Sequence, residues 1–204
     1  MTTEKRPYRM QRRAELEEQT RRRITESTAE LHGTLGPSRT SISAVAQRAG
    51  VRRSTVYRHF PDEAALFAAC TAHWSAANPP PDLEGWGAIA DPDERLRSAL
   101  GEMYAFYRRT ERMMANLHRD EETVPIVKQL FSRFHGYIAG ARDVLLGGRR
   151  LRGRARERVR AAVGHALAFH TWRSLAQEQG LEDGQAVELM CRLVAAAGRS
   201  PSKE

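Results

Sequence analysis

Apolar residues recur along this chain at three- and four-residue intervals, and the period-two alternation of a half-buried strand is nearly absent, so the pattern predicts an all-α fold. A first helix is predicted from about Met10 to His32, with Leu16, Ile24 and Leu31 on its inner side, ended by Gly33 and the Gly36-Pro37 pair. The next apolar positions are Ile42, Val45, Ala46, Ala49, Val51, Val56 and Phe60. Ser41 can cap a short second helix, because its hydroxyl can accept from an orphan amide near Ser43 or Ala44. Ala49-Gly50 closes that helix, since glycine tolerates the left-handed turn. A third helix is predicted from about Arg53 to His59. Pro61 and Asp62 then open a fourth, which carries Leu66, Phe67, Cys70 and Trp74.

Asn78 and the three prolines after it stop the fourth helix, and the Pro- and Gly-rich stretch to Asp93 reads as a linker or loop. Longer helices are expected at about 93–109, 111–118, 123–146, 154–179 and 184–197, with Gly147-Gly148 and Gly180 as breaks. The organisation that follows is a basic arm over 1–15, a helix-turn-helix domain over 16–76, a linker over 77–92 and a helical domain over 93–204.

Charge sharpens this division. The 204 residues carry a net charge of +8. Residues 1–60 hold 13 Lys and Arg against 6 Asp and Glu, so nearly all the excess lies in the first third of the chain. A basic binding module followed by a near-neutral domain is the arrangement this implies, with an anionic partner for the module. Within residues 40–60 stand Arg52, Arg53, Ser54, Thr55, Tyr57, Arg58 and His59, with no acidic residue. Val56 and Phe60 are four apart and share one helical face, while Arg53 and Tyr57 share another. If the first pair packs inward, Arg52, Arg53, Ser54, Tyr57 and Arg58 are left for solvent or a major groove. Arginine can contact guanine O6 and N7 in bidentate fashion, and Tyr, Ser and Thr commonly bond phosphate.

Ile42, Val45-Ala46 and Ala49-Gly50-Val51, followed by Ser54-Thr55-Val56-Tyr57, His59-Phe60 and Pro61, resemble the DNA-binding domain of the TetR/AcrR family of transcriptional regulators, over about residues 20 to 70. The resemblance implies three helices in a DNA-binding head, a larger C-terminal domain for ligand and dimer contacts, and nine helices in all. It implies phosphate contacts for Tyr57, His59 and Ser41, beside Thr40, and base contacts for Arg52, Arg53 and Ser54. Three positions depart from the family's pattern: Arg52 replaces a common serine cap, Glu63 stands where a lysine commonly follows the Phe-Pro turn, and His32 stands where the first helix often has a buried Phe.

In the second domain Met103, Tyr104, Tyr107, Met114, Leu117, Phe134, Tyr137, Phe169, His170 and Trp172 recur at helical spacings, as core or as the lining of an apolar ligand pocket. Val163, Ala166, Leu167, Leu189 and Leu193 lie on the last two predicted helices, which in the family pair with their copies in a homodimer. No Gly-rich phosphate loop or nucleophile elbow occurs, and two distant cysteines, Cys70 and Cys191, make neither a disulfide framework nor a zinc site. No catalytic residue, metal or cofactor is expected. The opening MTTEKRPYRMQRR lacks an apolar signal core, and no apolar run spans a bilayer, so a cytoplasmic protein without membrane segments is expected. The expectation is therefore a homodimeric regulator, a repressor released from a palindromic double-stranded DNA operator by a small apolar ligand. The alternative is a DNA-binding regulator that is constitutive or controlled by a protein partner.

Overall fold

The computed structural model describes residues 5–199. Ten α-helices follow one another among them: α1 Lys5–Thr34, α2 Ile42–Arg48, α3 Arg53–His59, α4 Glu63–Ala77, α5 Leu83–Ala88, α6 Pro92–Asp120, α7 Pro125–Leu146, α8 Gly153–Ala166, α9 Phe169–Arg173 and α10 Asp183–Gly198. A 3-10 turn, Pro37–Arg39, precedes α2, and a π-helical turn, Ser174–Glu178, continues α9. The first helix starts earlier than its pattern indicates and takes in most of the stretch read as an arm. Residues 1–4 lie outside the described residues. The chain forms two compact units, one of residues up to Pro79 together with Ala115–Lys128, the other of Pro80–Met114 and the residues from Gln129 onward.

The first unit is built on one apolar cluster. Ile24 and Leu31 of α1, Ile42, Val45 and Ala46 of α2, Ala49 at its end, Val56 of α3, Phe60 just after it and Leu66 of α4 are all buried. Leu16, expected on the inner side of α1, is exposed, because it lies two turns before Ile24, where that cluster begins. Arg21 ties the end of α3 to α1. Its Nη1 donates to the carbonyl of His59 at 2.7 Å, and its guanidinium sits 4.3 Å from the centre of the Phe60 ring.

The last turn of α6 belongs to this unit and caps α1. The last carbonyls of a helix have no intrahelical donor. Here Asn116 Nδ2 donates to the carbonyls of His32 (3.0 Å) and Gly33 (2.9 Å), and Arg119 Nη2 to that of Leu35 (2.8 Å). Asp120, almost fully buried, accepts from Arg119 Nε at 2.9 Å and from the amide of Ser38 at 2.9 Å. Burial would raise its carboxyl, but the Arg119 and Ser38 bonds outweigh that and hold it below the usual range. Gly36, at φ 94°, lies against this cluster: a Cβ there would run into the Arg119 guanidinium and come within 2.8 Å of Asp120 Oδ2.

In the second unit the interior is aromatic. Trp86, Tyr104, Tyr107 and Trp172 are buried, and Trp86 Nε1 donates to Glu102 at 3.0 Å. The expected single helix over 154–179 is broken at Leu167-Ala168. Two buried hydroxyls explain the break: Tyr104 donates to the carbonyl of Ala166 (3.0 Å) and Tyr107 to that of Leu167 (2.6 Å), satisfying groups that the interrupted helix leaves open. The expected break near residue 110 is absent. Thr110 instead bonds back to the carbonyl of Phe106 at 2.6 Å, and α6 runs through. The Pro- and Gly-rich stretch contains α5, capped by Asp82 and anchored by the buried Trp86. The Arg95 guanidinium, also buried, donates to the carbonyls of Ile89, Val144 and Gly147 at 2.6–3.0 Å.

His32 makes the fold pH-sensitive. Burial pushes its imidazole down to about 4 from an ordinary 6.5, with the Asp120 carboxylate opposing. The unfolded chain therefore binds a proton that the folded chain refuses, so stability is fully present above 6.5 and is lost as pH falls toward 4. The expected loss is about 3 kcal/mol across that window. His32→Phe should flatten that part of a stability-versus-pH curve from urea titration. An unchanged curve would show that His32 titrates normally in the folded chain.

Candidate nucleic-acid interface

Helices α2 and α3 and the turn between them are locally determined. Ser41 takes extended geometry, and its side chain accepts from the amide of Ala44 at 3.2 Å, the capping bond that the sequence predicts. Gly50 adopts φ 63°, and the amide of Val51 returns to the carbonyl of Ala46 at 2.9 Å, which closes α2. Arg52 stands at the N-cap of α3 and makes no side-chain cap bond. Val56 and Phe60 face the core.

What remains on the outer face is the predicted set. Ser41, Arg52, Arg53, Ser54, Tyr57 and Arg58 are exposed, and Thr40, Thr55 and His59 are half-buried. Arg48 is taken up by Glu30 of α1 through two hydrogen bonds. No ion pair among the described residues engages Arg52, Arg53 or Arg58. Arg52 and Arg53 also sit at the positive end of the α3 dipole, an unfavourable placement that an anion between them relieves. The Thr40 hydroxyl donates to the carbonyl of Gly36 at 2.8 Å, so its remaining capacity is as an acceptor. His59 has a buried Nε2 without a hydrogen-bond partner. Burial lowers its pKa and the Arg58 charge adds to the effect, so the ring is neutral at pH 7 and offers one N–H rather than a cation.

The residues named in the second domain are divided by the structure. Tyr107, Phe169 and Trp172 pack ring against ring with centroids 5.4–5.9 Å apart, and Met103 and Tyr104 are buried beside them in the same unit. Trp172 Nε1 donates to Asp183 at 2.9 Å. Phe134 and Tyr137 are half-buried and stacked, and the Tyr137 hydroxyl donates to the carbonyl of Pro81 at 2.9 Å. Met114 is buried, His170 is exposed, and Leu117 belongs to the first unit. Of the residues expected at a dimer seam, Val163, Ala166 and Leu167 are wholly buried within the single chain, so they face its interior; Leu189 and Leu193 on α10 are exposed at 44% and 41%.

Sequence reasoning passed over Arg21, Asn116 and Arg119, and it reads Asp120 as part of a solvated turn, whereas Asp120 is almost fully buried. The three on α6 act across more than 80 residues of chain, a separation at which spacing carries no signal. Arg21 is one of three consecutive arginines, and only the structure shows which of them reaches α3.

Residues 24–70 match the family described as bacterial regulatory proteins, tetR family. No curated protein matches the chain. Among solved structures, a TetR-like transcriptional regulator from Rhodococcus sp. RHA1 superposes with a TM-score of 0.65 at 20% identity, over 88% of this chain and 97% of that one. A mutant of the protein HlyIIR gives 0.63 at 17% identity, over 92% and 100%. A TetR transcription regulator from Haloarcula marismortui gives 0.53 at 13% identity, over 89% and 97%. At these identities the structures speak for the fold. The match to the tetR family covers the helix-turn-helix segment, residues 24–70, whose stretch from Thr40 to Phe60 carries no acid.

Proposed function

We propose that this chain is a DNA-binding transcriptional regulator of the tetR family that acts in the cytoplasm as a homodimeric repressor, placing two copies of α3 in successive major grooves of a palindromic operator and leaving it when a small apolar ligand binds the second unit. The observation that carries the DNA contact is the outer face of α2–α3, where Arg52, Arg53 and Arg58 stand exposed without acidic partners. Arg53 is placed to read a base edge. Arg52, Ser54 and Thr55 flank it, and Ser41, Tyr57, Arg58 and His59 hold phosphates on either side, with Thr40 beside them. Support for a dimer comes from α10, whose exposed face carries Leu189 and Leu193 four residues apart. Two heads related by a two-fold axis read half-sites about one turn, roughly 34–36 Å, apart. The effector would enter beside Phe134 and Tyr137, whose hydroxyl lies 3.6 Å from Met103 Sδ, against the packed Tyr104, Tyr107, Phe169 and Trp172.

Arg53→Ala is expected to cost about 1–3 kcal/mol on the operator and little on random DNA, measured by gel shift on both. Equal losses on the two would reduce Arg53 to a phosphate contact. Removal of residues 1–13, which include Lys5, Arg6, Arg9, Arg12 and Arg13, should lower the slope of log affinity against log salt by about one for each phosphate that the arm neutralises. An unchanged slope would take the arm out of the interface.

Leu189→Glu with Leu193→Glu is expected to abolish the dimer, because it buries two charges per subunit without partners at a cost of several kcal/mol. Sedimentation should show a folded monomer, and the operator shift should be lost. A double variant that stays dimeric and binds normally would place the seam elsewhere.

A further inference from the structure

We propose that a cavity within the first unit is a binding site for a small neutral hydroxylated molecule, an apolar body with a single hydroxyl such as a phenol. The cavity measures about 360 Å3, within the size range of small-molecule sites. Its walls are drawn from α1, α2, α4 and the start of α7, with His32, Val45, Leu66, Phe67, Val124 and Ile126 among them. The apolar residues set the shape of the occupant's body, and the polar atoms set its head.

Two hydroxyls on these walls are already committed. The Thr28 hydroxyl donates to the carbonyl of Ile24 and the Thr40 hydroxyl to that of Gly36, both at 2.8 Å. The Cys70 thiol behind His32 donates to the carbonyl of Phe67 at 3.2 Å. His32 Nδ1 lies 3.5 Å from Cys70 Sγ. With Nδ1 turned to Cys70, the ring leaves Nε2 for an occupant, and no described residue engages it; a hydroxyl can donate to that nitrogen or accept from it, according to the tautomer. The ring is 93% buried by its 7% exposure, and Phe67 packs on it at 5.1 Å. Its low pKa keeps it neutral at pH 7. Glu63 at the rim adds a carboxylate. A neutral imidazole beside a carboxylate favours a neutral hydroxyl over an anion.

The same cavity is lined by Thr40 and by Ser41, the N-cap of α2. An occupant therefore touches the entry to the helix-turn-helix directly, from inside the first unit. This regulatory consequence rests on the DNA reading above; the occupancy of the site does not.

The test is titration of the full chain with 4-methylphenol, followed by methyl and amide NMR. Saturable shifts are expected at Ile42, Val45, Val124 and Ile126, with toluene binding roughly tenfold more weakly for want of the hydroxyl and 4-methylbenzoate not binding. His32→Phe should remove the preference for the phenol over toluene. Ala64→Phe, at an exposed rim position, should block both while leaving the melting curve unchanged. No saturable shift up to the solubility limit of 4-methylphenol would overturn the proposal, and so would equal binding of toluene and phenol. Operator affinity measured with and without saturating phenol then reports on the DNA link alone: a change supports it, and phenol bound with unchanged affinity removes that link while the site stands.

Discussion

Everything distinctive about the first unit depends on Val56 and Phe60 being driven into the core beside Ile24. Each of the three is at most 1% exposed. A seven-residue helix such as α3 is too short to persist alone, because helix nucleation costs more than so few hydrogen bonds return. Burial of one face therefore both stabilises α3 and fixes its rotation. Once Val56 is inside, Arg53 and Tyr57 are outside, and no further instruction is needed to aim them. Arg21 completes the arrangement by holding the last carbonyl of α3 and stacking on Phe60.

Electrostatics then separates the two units. In the second unit several cations are matched by carboxylates: Arg108 with Asp183, Arg160 with Asp143 and Arg97 with Glu188. In the first, Arg48 is matched by Glu30, while Arg52, Arg53 and Arg58 are left to solvent. Exposed pairs of this kind contribute little to stability. Their consequence is local: carboxylates offset part of the positive charge of the second unit, while none offsets Arg52, Arg53 and Arg58 on the face of α2–α3.

How much of this can be read from the sequence follows from the range of the forces. Ser41, Gly50 and the spacing of Val56 and Phe60 act within a few residues, so caps, turn and recognition face are all legible. The single helix α6 is not, because Thr110 looks like a weak point until its hydroxyl is seen bonding back to Phe106. The break after α8 is hidden for the converse reason. No Gly or Pro marks Leu167-Ala168; the hydroxyls of Tyr104 and Tyr107, some 60 residues earlier, make it tolerable. Val163, Ala166 and Leu167 have the pattern of a seam and the burial of a core, and periodicity cannot tell an inner face from a partnered one. The cluster of Asn116, Arg119 and Asp120 on the loop after α1 is wholly tertiary.

The central claim is that the outer face of α2–α3 reads a specific DNA sequence as one half of a symmetric pair. Repeated selection of bound duplexes from a random pool tests it most directly. The account predicts enrichment of a pseudo-palindrome whose half-sites are centred about one helical turn, or a whole multiple of it, apart, with guanines at the positions nearest Arg53. Retention of duplexes with no enriched sequence, or enrichment of a single unrepeated site, would contradict it.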